Sequence, residues 1–234
     1  MTFLEKINEL RKELNSINFD DVKMTLPEKR IAGVSFFPCG DGSYKNSTKN
    51  KKILVLGQDQ DNEKGYNKSI LKETESYSPT WKNIEELFTK AGIDLDTCFF
   101  TNALMGIRIS ELNTGKSPGL FNDIFLKQNV SFLKKQISII KPISIITLGI
   151  IPLKILSMIN EDLMWKYSFL DTFKEIDESN SAIILDVNIE NIQTNVGIIV
   201  HPSYRKVNCK NRKFNNFQGE EAEIEILKTL NSFC

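Results

Sequence analysis

No pair among the four cysteines (Cys39, Cys98, Cys209 and Cys234) has CxxC spacing, so neither a zinc ribbon nor an iron–sulfur site is suggested. Scattered free thiols fit a reducing compartment, and a cytoplasmic location is expected. No uninterrupted apolar run approaches the roughly 18–20 residues a membrane span needs. The start, Met1-Thr2-Phe3-Leu4-Glu5-Lys6, lacks a basic flank followed by an apolar core, so no signal peptide is expected. There is no Gly-rich phosphate loop and no cluster of metal-ligand residues, which argues against a nucleotide hydrolase of another α/β type. No Pro/Gly/Ser-rich linker, internal repeat or low-complexity segment divides the chain, so one domain over 1–234 is expected. Net charge is also lacking: 30 basic residues balance 30 acidic ones, which does not announce a nucleic-acid binder.

The distribution of charge says more than its sum. Lys45, Lys49, Lys51 and Lys52 form one basic stretch; Arg205, Lys206, Lys210, Arg212 and Lys213 form another, while acids gather elsewhere, as in Glu220, Glu221 and Glu223. Such runs are usually solvated faces, but the second begins four residues after the only histidine, His201, and could meet phosphate. His201 itself follows the apolar run Val196-Gly197-Ile198-Ile199-Val200, which reads as a buried strand ending in a polar loop. Ile53–Leu56 followed by Gly57-Gln58-Asp59 reads the same way. Open α/β folds place their ligands at such carboxyl ends, so a carboxylate and an imidazole could frame one pocket.

The rest of the chain alternates strands and helices. Leu4, Ile7, Leu10, Leu14 and Ile17 predict an opening amphipathic helix, and 31–50 looks irregular. A polar loop of roughly 20 residues carrying Gly65 and Tyr66 is expected after Asp59. A helix then starts at Ser78 or Thr80, buries Trp81, Ile84, Phe88 and Ala91, and ends near Gly92. Strands are expected at Cys98–Thr101, at Ile143–Leu148 and at Ile198–Val200, with an extra one at Ala182–Val187. Helices are expected over Leu126–Ile140, around Leu153–Ile159 and over Glu220–Leu230. This order predicts a three-layer α/β/α sandwich around a mostly parallel sheet of about four strands.

Three strand ends now carry the polar groups of interest: Gly57-Gln58-Asp59, Thr101-Asn102 and His201-Pro202-Ser203. In this order they resemble the motifs of the uracil-DNA glycosylase superfamily. Ser78-Pro79-Thr80-Trp81-Lys82-Asn83-Ile84 resembles its helix start after the first motif, and Lys141-Pro142 with Ile145-Ile146-Thr147-Leu148-Gly149 resembles its proline-strand-glycine stretch. The resemblance spans roughly 53 to 213. The founding family continues its first motif with Pro-Tyr-His, whereas this chain has Gln60-Asp61-Asn62. His201-Pro202-Ser203-Tyr204-Arg205 is closer to the superfamily's iron–sulfur branch, whose cysteine spacing is absent here. The segment from Asn102 to Arg108 departs from both branches, so the chain reads as a less characterised member.

The resemblance implies a monofunctional DNA glycosylase, removing uracil or another deaminated base without metal, iron–sulfur cluster or organic cofactor. It would act as a monomer on a nucleotide flipped out of DNA. Breaking an N-glycosidic bond develops positive charge on the sugar and negative charge on the base. Asp59 would stabilise the first and orient water; His201 would donate to a base carbonyl. Asn102, with Gly57 and Gln58, would hold the base, and its amide would read the Watson–Crick edge. Tyr66, or alternatively Tyr77, would stack on it. Ser203 would hold a phosphate, and Tyr204 or Arg205 would fill the gap left in the base stack. Each residue also has an ordinary structural use: Asp59 as a cap, Asn102 in a turn, His201 in a hydrogen-bonded loop, Tyr66 in packing. A member of the same fold that binds DNA or a modified base without cutting it is the alternative.

Overall fold

The structure, a computed structural model, describes residues 1–111 and 114–234, with the side chain of Lys206 outside the described set. In chain order the elements are α1 (Phe3–Leu14), β1 (Met24–Thr25), β2 (Ile53–Gly57), α2 (Glu63–Lys72), α3 (Pro79–Lys90), β3 (Cys98–Asn102) and β4 (Ile107–Arg108). They continue with α4 (Asp123–Ile140), β5 (Ser144–Leu148), α5 (Ile150–Ser157), α6 (Glu161–Tyr167), α7 (Phe173–Glu178), β6 (Ile183–Ile189) and β7 (Ile192–Ile199). The chain closes with α8 (Arg205–Asn208), β8 (Lys213–Phe214), β9 (Phe217–Gln218) and α9 (Glu220–Asn231).

Five strands form the central sheet in the order β3-β2-β5-β7-β6. The first four run parallel and β6 pairs antiparallel with β7, so the extra strand at Ala182–Val187 closes one edge. Every residue of β2, β3 and β5 is buried, as expected of parallel strands covered on both faces, whereas β6 is partly open. Helices flank the sheet in two groups: α4 packs on α1 and α5, while α9 packs on α3 and β7. This is the three-layer α/β/α arrangement the sequence pattern predicts.

Because β2, β3, β5 and β7 are parallel, their carboxyl ends share one rim of the sheet. Gly57 lies opposite Asn102, and Leu148 opposite Ile199, two residues before His201. Ser78 caps α3 by accepting from Trp81 N–H at 3.3 Å, with Pro79 at the first helical position. Residues 31–50 are irregular but not peripheral. Phe37 N–H donates to Phe100 C=O at 2.9 Å, and Phe37 bridges to Thr101, so this segment runs along the outer side of β3.

The expected 20-residue loop after Asp59 is instead largely helix α2. Asn62 caps it, its Oδ1 accepting from Gly65 N–H at 3.0 Å. Only Tyr66 and Ser69 of its residues are buried, so no apolar repeat marks the helix; capping and straight-chain side chains make it. Two further short helices, α6 and α7, are opened by Asn160 and Thr172 in a stretch without a clear repeat.

Candidate active site

The rim carries a cleft of about 950 Å³. Gly57, Gln58 and Asp59 line it from β2, Asn102 from β3, Gly149 from the end of β5 and His201 from the end of β7. Only β5 separates β2 from β7, so their ends stand about 10 Å apart, a span that suits a nucleobase.

Asp59 is held by a two-pronged ion pair. Arg108 Nε donates to Oδ2 at 2.6 Å and Nη2 to Oδ1 at 2.8 Å, both side chains being almost wholly buried. Arg108 also donates to the Thr114 and Gly115 carbonyls at 2.9 and 3.1 Å, and Gln58 Nε2 donates to Gly115 at 3.1 Å. The carboxylate is therefore fixed in direction rather than free to rotate.

Asn102 sits over Gly57. A Cβ at residue 57 would collide with Asn102 Oδ1, so glycine is what lets the amide lie across the strand end. Asn102 Nδ2 donates to Gln60 Oε1 at 3.1 Å. Gln60 Nε2 donates in turn to Glu75 Oε1. Glu75 Oε2 accepts from Phe36 N–H at 3.0 Å and from Trp81 Nε1 at 3.1 Å. Burial pushes the Glu75 carboxyl up to about 7, although those donors favour its charged form. Phe36 also lines the cleft, packed edge-on against Trp81 and Phe100.

His201 Nδ1 accepts from Ser203 N–H at 3.3 Å. In the neutral ring the proton then resides on Nε2. Burial pulls its pKa down to about 4, so the ring is a neutral donor at physiological pH. The loop around it is tied at several points. Asn83 Nδ2 donates to Pro202 C=O at 2.8 Å, Ser203 and Thr80 hydroxyls lie 2.6 Å apart, and Val200 N–H donates to Glu223 Oε1 at 2.8 Å. Ser203 and Tyr204 line the cleft mouth, with Tyr204 46% exposed.

Two expected site residues lie elsewhere. Tyr66 does not line the cleft; its hydroxyl accepts from Lys29 N–H and donates to Lys29 C=O, and its ring packs with Ile31, Cys39 and Ile107. Helix α2 turns it inward, while Tyr77 does line the cleft. Arg205 is buried and bonded to Glu86 and Glu220 at 3.1 and 2.7 Å, so its charge is spent inside the protein. The rest of its basic run is partly structural, since Arg212 is buried between Asp177 and Glu223. The Lys45–Lys52 stretch is remote from the cleft: Lys49 pairs with Asp94, and buried Lys51 donates to the Ser47 and Asp96 carbonyls. The lysines that do reach the cleft are Lys64, Lys68 and Lys116.

Sequence reasoning did not single out Phe36 or Glu75. Nor did it mark Val207, which is 74% exposed one turn after Tyr204. Among the described residues, no group of three or more His, Cys, Asp or Glu side chains is placed to hold a metal, and no helix is long and apolar enough to cross a membrane.

A parallel sheet whose strand ends bring a carboxylate, an amide and an imidazole to one cleft defines an α/β protein with its polar groups gathered at that rim. Within that class the chain belongs to the uracil-DNA glycosylase superfamily, whose sequence model matches residues 44–224 and so takes in all three motifs. No curated protein matches the chain.

Proposed function

We propose that the protein is a monofunctional DNA glycosylase that hydrolyses the N-glycosidic bond of uracil or another deaminated base in DNA. The observation that carries this reading is the convergence of Asp59, Asn102 and His201 on one cleft of the superfamily's fold. The flipped nucleotide enters the cleft at a cost of a few kcal/mol for unstacking. Phe36 offers the aromatic wall, taking the place first given to Tyr66. Asn102 meets the base edge. His201 Nε2–H donates to the base carbonyl next to the glycosidic nitrogen, where negative charge grows as the bond breaks. The bond's electron pair leaves with the base. Water adds its oxygen to C1′, and its proton ends on the departing base through solvent.

Asp59 faces the positive charge that develops on the sugar. Its pairing with Arg108 engages both carboxylate oxygens and fixes their direction, so it acts mainly as a fixed negative charge that orients water. Tyr204 at the cleft mouth, with the exposed Val207 one turn on, is assigned to fill the vacated stack, and Ser203 with Thr80 offers hydroxyls to a phosphate. The protein would work as one domain and one copy, without metal or cofactor.

The Asp59–Arg108 pair also favours a second reading: a member that binds a flipped base without cutting. Cleavage of a labelled oligonucleotide with one uracil, single-stranded or opposite guanine, separates the two after hot alkali. The enzyme reading expects abasic product from the wild type, with losses of about 10²–10³-fold in H201A and at least about 10²-fold in D59N. Tight binding to abasic or single-stranded DNA, with no product from uracil, hypoxanthine or xanthine substrates, would establish the binder instead.

A further inference from the structure

A second array adjoins the base site: four side chains in one hydrogen-bonded file, Asn102, Gln60, Glu75 and Trp81. Each link has a direction. Trp81 Nε1 and Phe36 N–H can only donate, so the Glu75 atom they meet must be an oxygen. The other oxygen of the carboxylate also accepts, so Gln60 must turn its NH₂ toward Glu75. Its carbonyl then faces Asn102, which must answer with its own NH₂. Both ends of the Gln60 amide are spent in the file, and Glu75, Gln60 and Asn102 are all buried.

The direction matters because the two ends of Asn102 face different parts of the cleft. Its Oδ1 lies over Gly57, on β2, the side leading through β5 to His201. Its Nδ2 faces Gln60 and Glu75, which is anchored to the segment on the outer side of β3. With the base carbonyl O2 at His201, ring position N3 comes next along the rim and position 4 lies furthest. An acceptor at N3 and a donor at position 4 fit a pyrimidine with N3–H and a 4-carbonyl. They oppose a 4-amino pyrimidine, which has a bare N3 and a donor at position 4.

We propose that Gln60 and Glu75 are specificity-determining positioning residues: the buried carboxylate sets the direction of the amide file and so fixes Asn102 to select a 4-carbonyl over a 4-amino pyrimidine. This rests on the reading of the cleft as a base site. It makes an isosteric change at Glu75 informative. In E75Q the atom facing Trp81 and Phe36 must still be an oxygen, so the new NH₂ faces Gln60. Gln60 then reverses, and Asn102 reverses with it, placing its donor at N3 and its acceptor at position 4. Q60E added to E75Q supplies an acceptor at both ends of residue 60 and returns Asn102 to its first direction.

The experiment compares kcat/KM on oligonucleotides carrying one uracil or one unpaired cytosine, for wild type, E75Q, Q60E and Q60E/E75Q, at a pH of about 8.5 where the carboxylate is charged. The uracil-to-cytosine ratio is expected to fall at least about 100-fold in E75Q and to recover in the double variant. Equal losses on both bases in a folded E75Q, an unchanged ratio, or no recovery in the double variant overturns the proposal. If the wild type releases neither base, uracil is not its substrate and that part of the glycosylase reading fails by itself. The file is then decided by NMR of the side-chain amides: the Gln60 NH₂ protons neighbour residue 75 in the wild type and must neighbour Asn102 in E75Q. Their failure to change neighbours overturns the proposal whatever the activity.

Discussion

Two buried glutamates brace opposite ends of the cleft. Glu223, behind His201, shares Arg212 with Asp177, the guanidinium lying 2.6 Å from Glu223 and 3.1 Å from Asp177. Glu75, behind Asn102, is bonded to an indole, a backbone N–H and an amide, all uncharged. Burial raises both carboxyls to about 7. A cation answers a buried charge with attraction and fixes position. Neutral dipoles answer it by orienting, and so transmit its sign to their neighbours. The first arrangement is a strut under the β7 loop, and the second, on the proposal above, sets what Asn102 presents to the cleft.

The sharpest break of that comparison is R212M. It leaves two carboxylates buried without their cation and takes the guanidinium from the Phe173 face, so a loss of about 3–5 kcal/mol is expected in urea unfolding. A loss as small as that of an exposed pair would mean Glu223 and Asp177 had found other partners.

Next in size is the pH dependence of E75Q. The Glu75 pKa is raised in the folded protein, to about 7 from an ordinary 4.5, so its favourable contribution is complete below the ordinary value. It is lost as pH rises from about 4.5 through about 7, to a total of at most about 3 kcal/mol. E75Q lacks this titration, and Glu223 cancels between the two proteins. The Tm of E75Q minus that of the wild type should therefore rise between pH 5 and pH 8, measured by thermal unfolding. A flat or falling difference would show that burial does not raise the Glu75 carboxyl.

His201 should run in the opposite direction. Its pKa is depressed to about 4 from 6.5, so the stability it contributes is complete above 6.5 and is lost as pH falls toward 4. The effect on Tm is the smallest of the three, because the ring is partly open to the cleft. The direct measurement is an NMR titration of the ring, which needs no assignment because the chain has one histidine. A midpoint near 6.5 would mean that the ring is solvated and charged in mildly acidic solution.

The strands and their ends were legible because β2, β3, β5 and the end of β7 are continuous apolar runs followed by polar residues, and the superfamily motifs sit on those ends. Ser78 was legible as a cap because it precedes Pro79 and an apolar stripe. Helix α2 was not, since only two of its residues are buried, and with it went the orientation of Tyr66. Arg205 reads as one of a run of surface cations, yet Glu86 and Glu220 take its charge inward. Glu75 lies in Glu73-Thr74-Glu75-Ser76, a string with every mark of a solvated loop. A single buried polar residue leaves no periodic trace; what buries it comes from Phe36 and Trp81, 39 and 6 residues away.

The file that ends at Glu75 has a consequence in heredity. Glutamate and glutamine codons differ by one nucleotide, so reversal of the file lies one point mutation from the present chain, with no change of side-chain size. If Glu75 sets base preference as proposed, that preference would change abruptly among descendants of this sequence while the fold and the Asp59, Asn102 and His201 motifs stayed the same.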